Sequence, residues 1–178
     1  MNHYRKLSRT SAQRKALLRS QVTALLYHGH IVTTEAKAKE IVKIAEGLIA
    51  MAVREKDNFD TVTVTAKAAR KDAEGKRVKE EKDGKKVTVY DEVQKEIQKD
   101  QPSRLHARRQ MNKVFYPVTE VPKTGKGRKA GTKKIDMAQK MFDDIAPKYA
   151  NRNGGYTRIV KIAQRPGDGA LKVLVELV

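Results

Sequence analysis

The sequence predicts an α+β fold in which helices pack on one face of a small sheet, and three observations lead there. Four segments, near residues 10–28, 35–54, 103–114 and 137–149, have helical spacing or helical propensity. Short runs at about 30–34, 156–163 and 170–178 read as strands. Leu171, Val173, Val175 and Leu177 alternate onto one face of the last run, a face that the helices must cover.

The first helix starts at a capping box, Thr10 with Gln13. There the hydroxyl accepts from one orphan N–H and the amide reaches back to the cap. Leu18, Val22, Leu25 and Leu26 then share one face. Gly29 suits a left-handed stop, and His28 beside it suits the negative end of the helix dipole. Residues 1–20 hold six basic side chains and no acid: Arg5, Lys6, Arg9, Arg14, Lys15 and Arg19. A solvated helix face normally mixes signs, because like charges at helical spacing repel. The stretch therefore reads as a basic arm and a basic first turn that tie a folded domain to a polyanion.

His30–Thr34 (HIVTT) is a short β-branched strand, and Thr33 or Thr34 can cap the helix that follows. Ala38, Ile41, Val42, Ala45, Leu48, Ile49 and Ala52 form its apolar stripe. Lys37, Lys39, Glu40, Lys43 and Glu46 form an outer face of mixed sign, as a solvated helix has.

The character changes near Asp57. TVTVT (61–65) and KVTVY (86–90) alternate like strands and are expected to pair as an antiparallel ribbon. The polar stretch between them contains the breakers Gly75 and Gly84. Residues 57–100 hold eleven basic and eleven acidic side chains. The whole chain of 178 residues has 39 basic and 21 acidic side chains, a net charge of +18. That excess divides as +7 over residues 1–56, +9 over 101–134 and +2 over 135–178. An arm threaded among phosphates would be basic, so the balanced segment is expected to project away from a polyanion. The expected domain organisation is one body, 1–56 with 101–178, and one inserted arm, 57–100.

The segment SRLHARRQMNKV (103–114) follows as a helix. Leu105, Met111 and Val114 are expected to pack, with Arg104, Arg108 and Arg109 pointing elsewhere. Pro122–Lys134 is an acid-free loop with three glycines that let the backbone approach phosphate, and Lys126, Arg128 and Lys129 supply charge. Ala138, Met141, Phe142 and Ile145 mark a shorter helix, which Pro147 ends or kinks. Asn153-Gly154-Gly155 signals a turn. Arg152, Tyr156 and Arg158 around it suit phosphate contact and base stacking. RPGDG (165–169) separates the last two strands as a hairpin turn.

A soluble domain needs a net charge of only roughly 2 to 8. An excess of +18 points to a partner that neutralises it, nucleic acid or an anionic membrane. No run approaches the roughly 20 apolar residues that span a bilayer, and no apolar stretch follows the basic start as in a secretory signal. The absence of Cys excludes disulfides, thiolate metal sites and Cys nucleophiles, and fits a cytoplasmic protein. Aromatic residues make up 5% with no Trp, a poor supply for stacking single strands. GKGRKAGT (125–132) departs from a P-loop, since Gly131 precedes Thr132 rather than Lys. His28 and His30 lack a third ligand at metal spacing. Asp143 and Asp144 are adjacent and point to different sides of a helix, so they form no acid–base pair. No Ser sits in a nucleophile elbow. The chain is therefore not expected to be an enzyme, to hold a metal or cofactor, or to take a small-molecule substrate.

RKLSRTSAQRKALLR (5–19), HGHIVTTEAKAKE (28–40), NRNGGYTRIVKI (151–162) and the terminal VELV closely resemble a known family, the seventeenth protein of the bacterial large ribosomal subunit. The resemblance covers residues 1–56 and about 101–178. It implies a two-layer α/β domain with helices on a small mixed sheet. It also implies binding to large-subunit ribosomal RNA near the nascent-chain exit, beside the small ribosomal protein thirty-two and other large-subunit proteins, with no catalysis and no cofactor. Tyr4 interrupts the usual basic run of the family, Ser8 stands where Gly is common, and 57–100 looks inserted. The leading expectation is thus a ribosomal RNA-binding protein. The competing one is a free nucleic-acid factor such as a nucleoid protein or RNA chaperone.

Overall fold

The computed structural model describes residues 4–73, 75–82, 85–122 and 131–178. In chain order the elements are α1 (Ser11–His28), β1 (His30–Thr34), α2 (Glu35–Glu55), β2 (Phe59–Ala69), β3 (Lys79–Lys82), β4 (Lys85–Thr88) and β5 (Tyr90–Asp100). Then come α3 (Pro102–Val114), β6 (Val118–Glu120) and β7 (Lys133–Ile135). The last helix, α4, runs through Met137–Lys140, a π turn Met141–Ile145, and Ala146–Lys148, before β8 (Thr157–Gln164) and β9 (Leu171–Leu177). The chain divides into two compact units, residues 1–58 with 102–178, and Phe59–Gln101.

In the larger unit the α+β expectation holds. The capping box of α1 is complete: Gln13 N–H donates to Thr10 Oγ1 at 3.4 Å and Thr10 N–H to Gln13 Oε1 at 3.3 Å. Gly29 ends the helix at φ 83°, donating its N–H to the Leu25 carbonyl at 2.8 Å. Leu18, Val22, Leu25 and Leu26 are buried, as are Ala38, Ile41, Ala45, Leu48, Ile49 and Ala52 of α2. Thr34 occupies the N-cap of α2 but makes no side-chain cap bond, because it is also the last paired residue of β1.

The sheet has the order β1-β9-β8. It is antiparallel throughout rather than mixed. The short β8–β9 connection fixes one antiparallel pair, and β1 joins the free side of β9, so no parallel crossover arises. Val173 and Val175 in the central strand are fully buried under the helices. Arg165, paired with Asp168, closes the β8–β9 turn. The helix α4 passes through Pro147 instead of stopping there. Pro147 has no N–H for the Asp143 carbonyl, and the preceding residues widen into the π turn, where Ala146 N–H donates to the Met141 carbonyl.

The smaller unit is a ribbon whose pairing differs from the expected one. The run at 61–65 pairs with 94–98, Thr61 opposite Gln98 and Thr65 opposite Gln94, within an eleven-residue β2–β5 ladder. KVTVY is split instead: Lys85–Thr88 pairs with Lys79–Lys82 as a nested hairpin, and Tyr90 begins β5. Val62, Val64, Val93 and Ile97 alternate onto one face of the ladder, each at least a third exposed. With neither face in a core, DEVQKEIQKD carries no period-2 pattern that would have revealed the ladder.

Candidate nucleic-acid interface

The N-terminal arm is folded back by a carboxylate. Glu40, on α2, is 6% exposed and accepts from the Arg5 backbone N–H at 3.4 Å and from Arg14 Nη2 at 2.5 Å. Arg14 Nε also donates to the Arg5 carbonyl at 2.7 Å, and its guanidinium lies 4.4 Å from the centre of the Tyr4 ring. The arm turns at Leu7 and Ser8, with φ of 56° and 52°. That left-handed geometry is the one glycine adopts without penalty, which gives a physical reason for a glycine at position 8. The turn leaves Arg5, Lys6 and Arg9 with exposed side chains, and Lys15 is exposed one turn into α1.

Other expected contact residues are spent inside the fold. Arg19 donates to the carbonyls of Val114 at 2.9 Å and Phe115 at 2.8 Å, and its guanidinium lies 4.3 Å from the Tyr116 ring centre. It thus satisfies orphan carbonyls at the end of α3. Arg108 pairs with Asp136, the N-cap of α4, at 3.3 Å and donates to Gln139 at 2.7 Å. These bonds make both residues links between helices.

Two expectations are corrected by burial. Arg104 is 1% exposed and lies 4.4 Å from the Phe142 ring centre. It shares the inner face of α3 with Ala107 and Met111, positions three and seven residues on, so it cannot reach a surface phosphate. Tyr156 is 5% exposed, edge-on to Tyr149 with centroids 5.3 Å apart, and its hydroxyl donates to the Arg152 carbonyl. The Tyr156 ring is core and has no free face for a base. Arg109 and Arg152 are exposed, and Arg158 is exposed beside Glu176 at 2.5 Å. Lys126, Arg128 and Lys129 lie outside the described residues. The β6–β7 pair is tied to α1 by Tyr27, which donates its hydroxyl to Glu120. That hydrogen bond, with burial and the Glu120 charge, raises the Tyr27 phenol above its ordinary pKa.

The outer face of α2 is more positive than its sequence suggests. Glu40 is turned inward onto Arg14. Glu46 is half-buried and accepts from the Thr157 backbone N–H at 3.3 Å and its hydroxyl at 2.9 Å. Lys39 and Lys43 remain exposed, with Lys39 2.9 Å from Glu35. Both lysines face Arg5 across an open groove. In the sequence Glu46 has Val42, Ile49 and Ala50 at i−4, i+3 and i+4, a signal of an inner acid, whereas Glu40 stands between Lys37 and Lys43 at i−3 and i+3 and gives no such signal. Among the described residues no group of His, Asp and Glu could hold a metal ion, and no helix is long and apolar enough to cross a membrane.

The family model described as ribosomal protein L17 matches residues 17–178. A protein named large ribosomal subunit protein bL17 from Lachnospira eligens is 68% identical over 178 residues, covering all of both chains. Proteins of the same name from Acetivibrio thermocellus and Ruminiclostridium cellulolyticum are 46% and 47% identical, each over 98% of both chains.

Proposed function

This chain belongs to the ribosomal protein L17 family, and from that premise we propose that it is a structural constituent of the large subunit of the cytoplasmic ribosome. It is not an enzyme. It stabilises folded large-subunit RNA by neutralising closely packed phosphates. The observation that carries the mechanism is the acid-free first twenty residues, whose arm keeps Arg5, Lys6, Arg9 and Lys15 exposed while Glu40 holds its backbone. Arg109, Arg152, Arg158 and the loop residues Lys126, Arg128 and Lys129 extend the contact surface. Arg14, Arg19 and Arg108 position it. The charge-balanced arm at 57–100 takes no part in phosphate binding and meets neighbouring protein or solvent. The family resemblance supports protein thirty-two as one neighbour.

Each phosphate neutralised releases counterions, so affinity for large-subunit RNA falls with salt at a log–log slope of about −0.7 to −0.9 per phosphate. The test is sedimentation of cell lysate on a sucrose gradient, joined to binding of large-subunit RNA at two salt concentrations. Travel with the large subunit and a steep slope support the reading. A salt-insensitive affinity, or equal binding to duplex DNA with no sedimentation in the large-subunit peak, overturns it in favour of a free nucleic-acid factor.

A further inference from the structure

We propose that the groove between the N-terminal arm and the surface of α2 and β8 receives a single unpaired nucleotide of folded RNA, a site that rests on the RNA-binding reading above. The groove is lined by Tyr4, Arg5, Lys39, Val42, Lys43 and Ile159, with the Glu40 carboxylate at its inner end. Its volume of about 550 Å³ falls within the roughly 300–1,000 Å³ of small-ligand sites.

The chemistry of the lining is divided as a nucleotide is divided. Val42 and Ile159 are half-buried and give an apolar floor for a base. Tyr4 is 49% exposed, and Arg14 backs its ring at 4.4 Å, which fixes the ring while leaving much of it open. A base stacks on such a π face whatever its identity. Arg5, Lys39 and Lys43 stand on the rim, where the flanking phosphates of an extruded nucleotide would run. Three cations, Arg5, Lys39 and Lys43, line the groove against one carboxylate, Glu40. The Glu35 carboxyl is held below its ordinary pKa first by its hydrogen bond and ion pair with Lys39, then by the charges of Lys161 and Arg5. Glu40 does not repel a phosphate, since its two oxygens are engaged by Arg14 and the Arg5 N–H. The groove presents one aromatic ring, so it takes one base and not a stacked run.

The test uses the full-length protein and two RNA hairpins with the same A-form stem, one carrying a single-nucleotide bulge, prepared with each of the four bases. Fluorescence anisotropy should show the bulged stem bound about fivefold more tightly or better. Tyr4→Ala should bring the ratio to about one, and Tyr4→Phe should keep it. Lys15→Ala should weaken binding to both stems alike. Equal binding of the two stems by the wild type, or a preference that survives Tyr4→Ala, overturns the groove assignment while salt-dependent stem binding keeps the RNA reading intact. If neither stem binds in a salt-dependent way, the RNA reading fails and the groove assignment fails with it. Tyr4 lies at the exposed end of the arm, and circular dichroism of the variants checks that the fold persists.

Discussion

Arg14 Nη2 lies 2.5 Å from Glu40 Oε2, and the two side chains are only 18% and 7% exposed. This pair joins α1 to α2 and, through the Arg5 backbone, fixes where the arm leaves the body. Glu40→Ala leaves a mostly buried guanidinium and a backbone N–H without their acceptor. The expected loss of stability is about 1–3 kcal/mol in urea unfolding. Trypsin should also cleave faster at Arg5, Lys6 and Arg9. Unchanged stability and cleavage would show that the pair does not hold the arm.

Arg104 and Lys15 were equivalent cations in the sequence and should behave oppositely. Arg104→Ala removes a buried side chain packed on Phe142 and should cost about 2–4 kcal/mol, through lost packing as well as lost charge. Lys15→Ala should leave stability within about 0.5 kcal/mol and reduce the salt slope for RNA by about 0.7–0.9. Thermal unfolding and salt titration of the same two variants separate the roles.

Gly29 ends α1 at φ 83°, a conformation an L side chain adopts only with strain. Gly29→Ala should destabilise the protein by about 1–2 kcal/mol. No atom stands within 4 Å of the added Cβ, so the cost is conformational and not a clash. Gly29→Asn should cost less, and denaturant unfolding of the pair checks the ranking.

The hydrogen bond from Arg165, then that from the Ala170 N–H, hold the Asp168 carboxyl down from an ordinary 3.8 to about 2. A depressed carboxyl contributes stability that is full above its unfolded pKa and is lost as pH falls through the folded one. Asp168→Asn should therefore be less stable than wild type above about pH 4. The difference should close as the pH falls to about 2. Both residues are half-exposed, so the difference is small and salt-sensitive. Urea midpoints of the two proteins across that range provide the measurement.

Deleting residues 60–98 removes ten basic and nine acidic side chains, only +1 of the chain's net charge of +18. Incorporation into large subunits should be unchanged, judged by the position of the shortened protein on a sucrose gradient. Its absence from the large-subunit peak would mean that the ribbon contributes to docking.

Sequence alone determined the helices, the strands at both ends of the body, the cap at Thr10 and Gln13, and the uneven placement of charge. Each of these is written in residues close together in the chain, as a period of 3.6 or 2, a capping pair, or a local count of cations. Tertiary structure decided which charges remain available. Glu40 and Glu46 read as solvent acids until Arg14 and Thr157 arrive from distant segments to take their oxygens. Arg104 and Arg109 read alike until the packing of α3 on Phe142 buries one and leaves the other in water. Tyr156 read as a stacking surface until Tyr149 met it. The ribbon's register escaped for a related reason: with both faces open to solvent, burial imposes no alternation for a reader to follow. Local pattern tells where a side chain can point, but the partner that makes burial of a charge tolerable is far along the chain, and only folding brings it there.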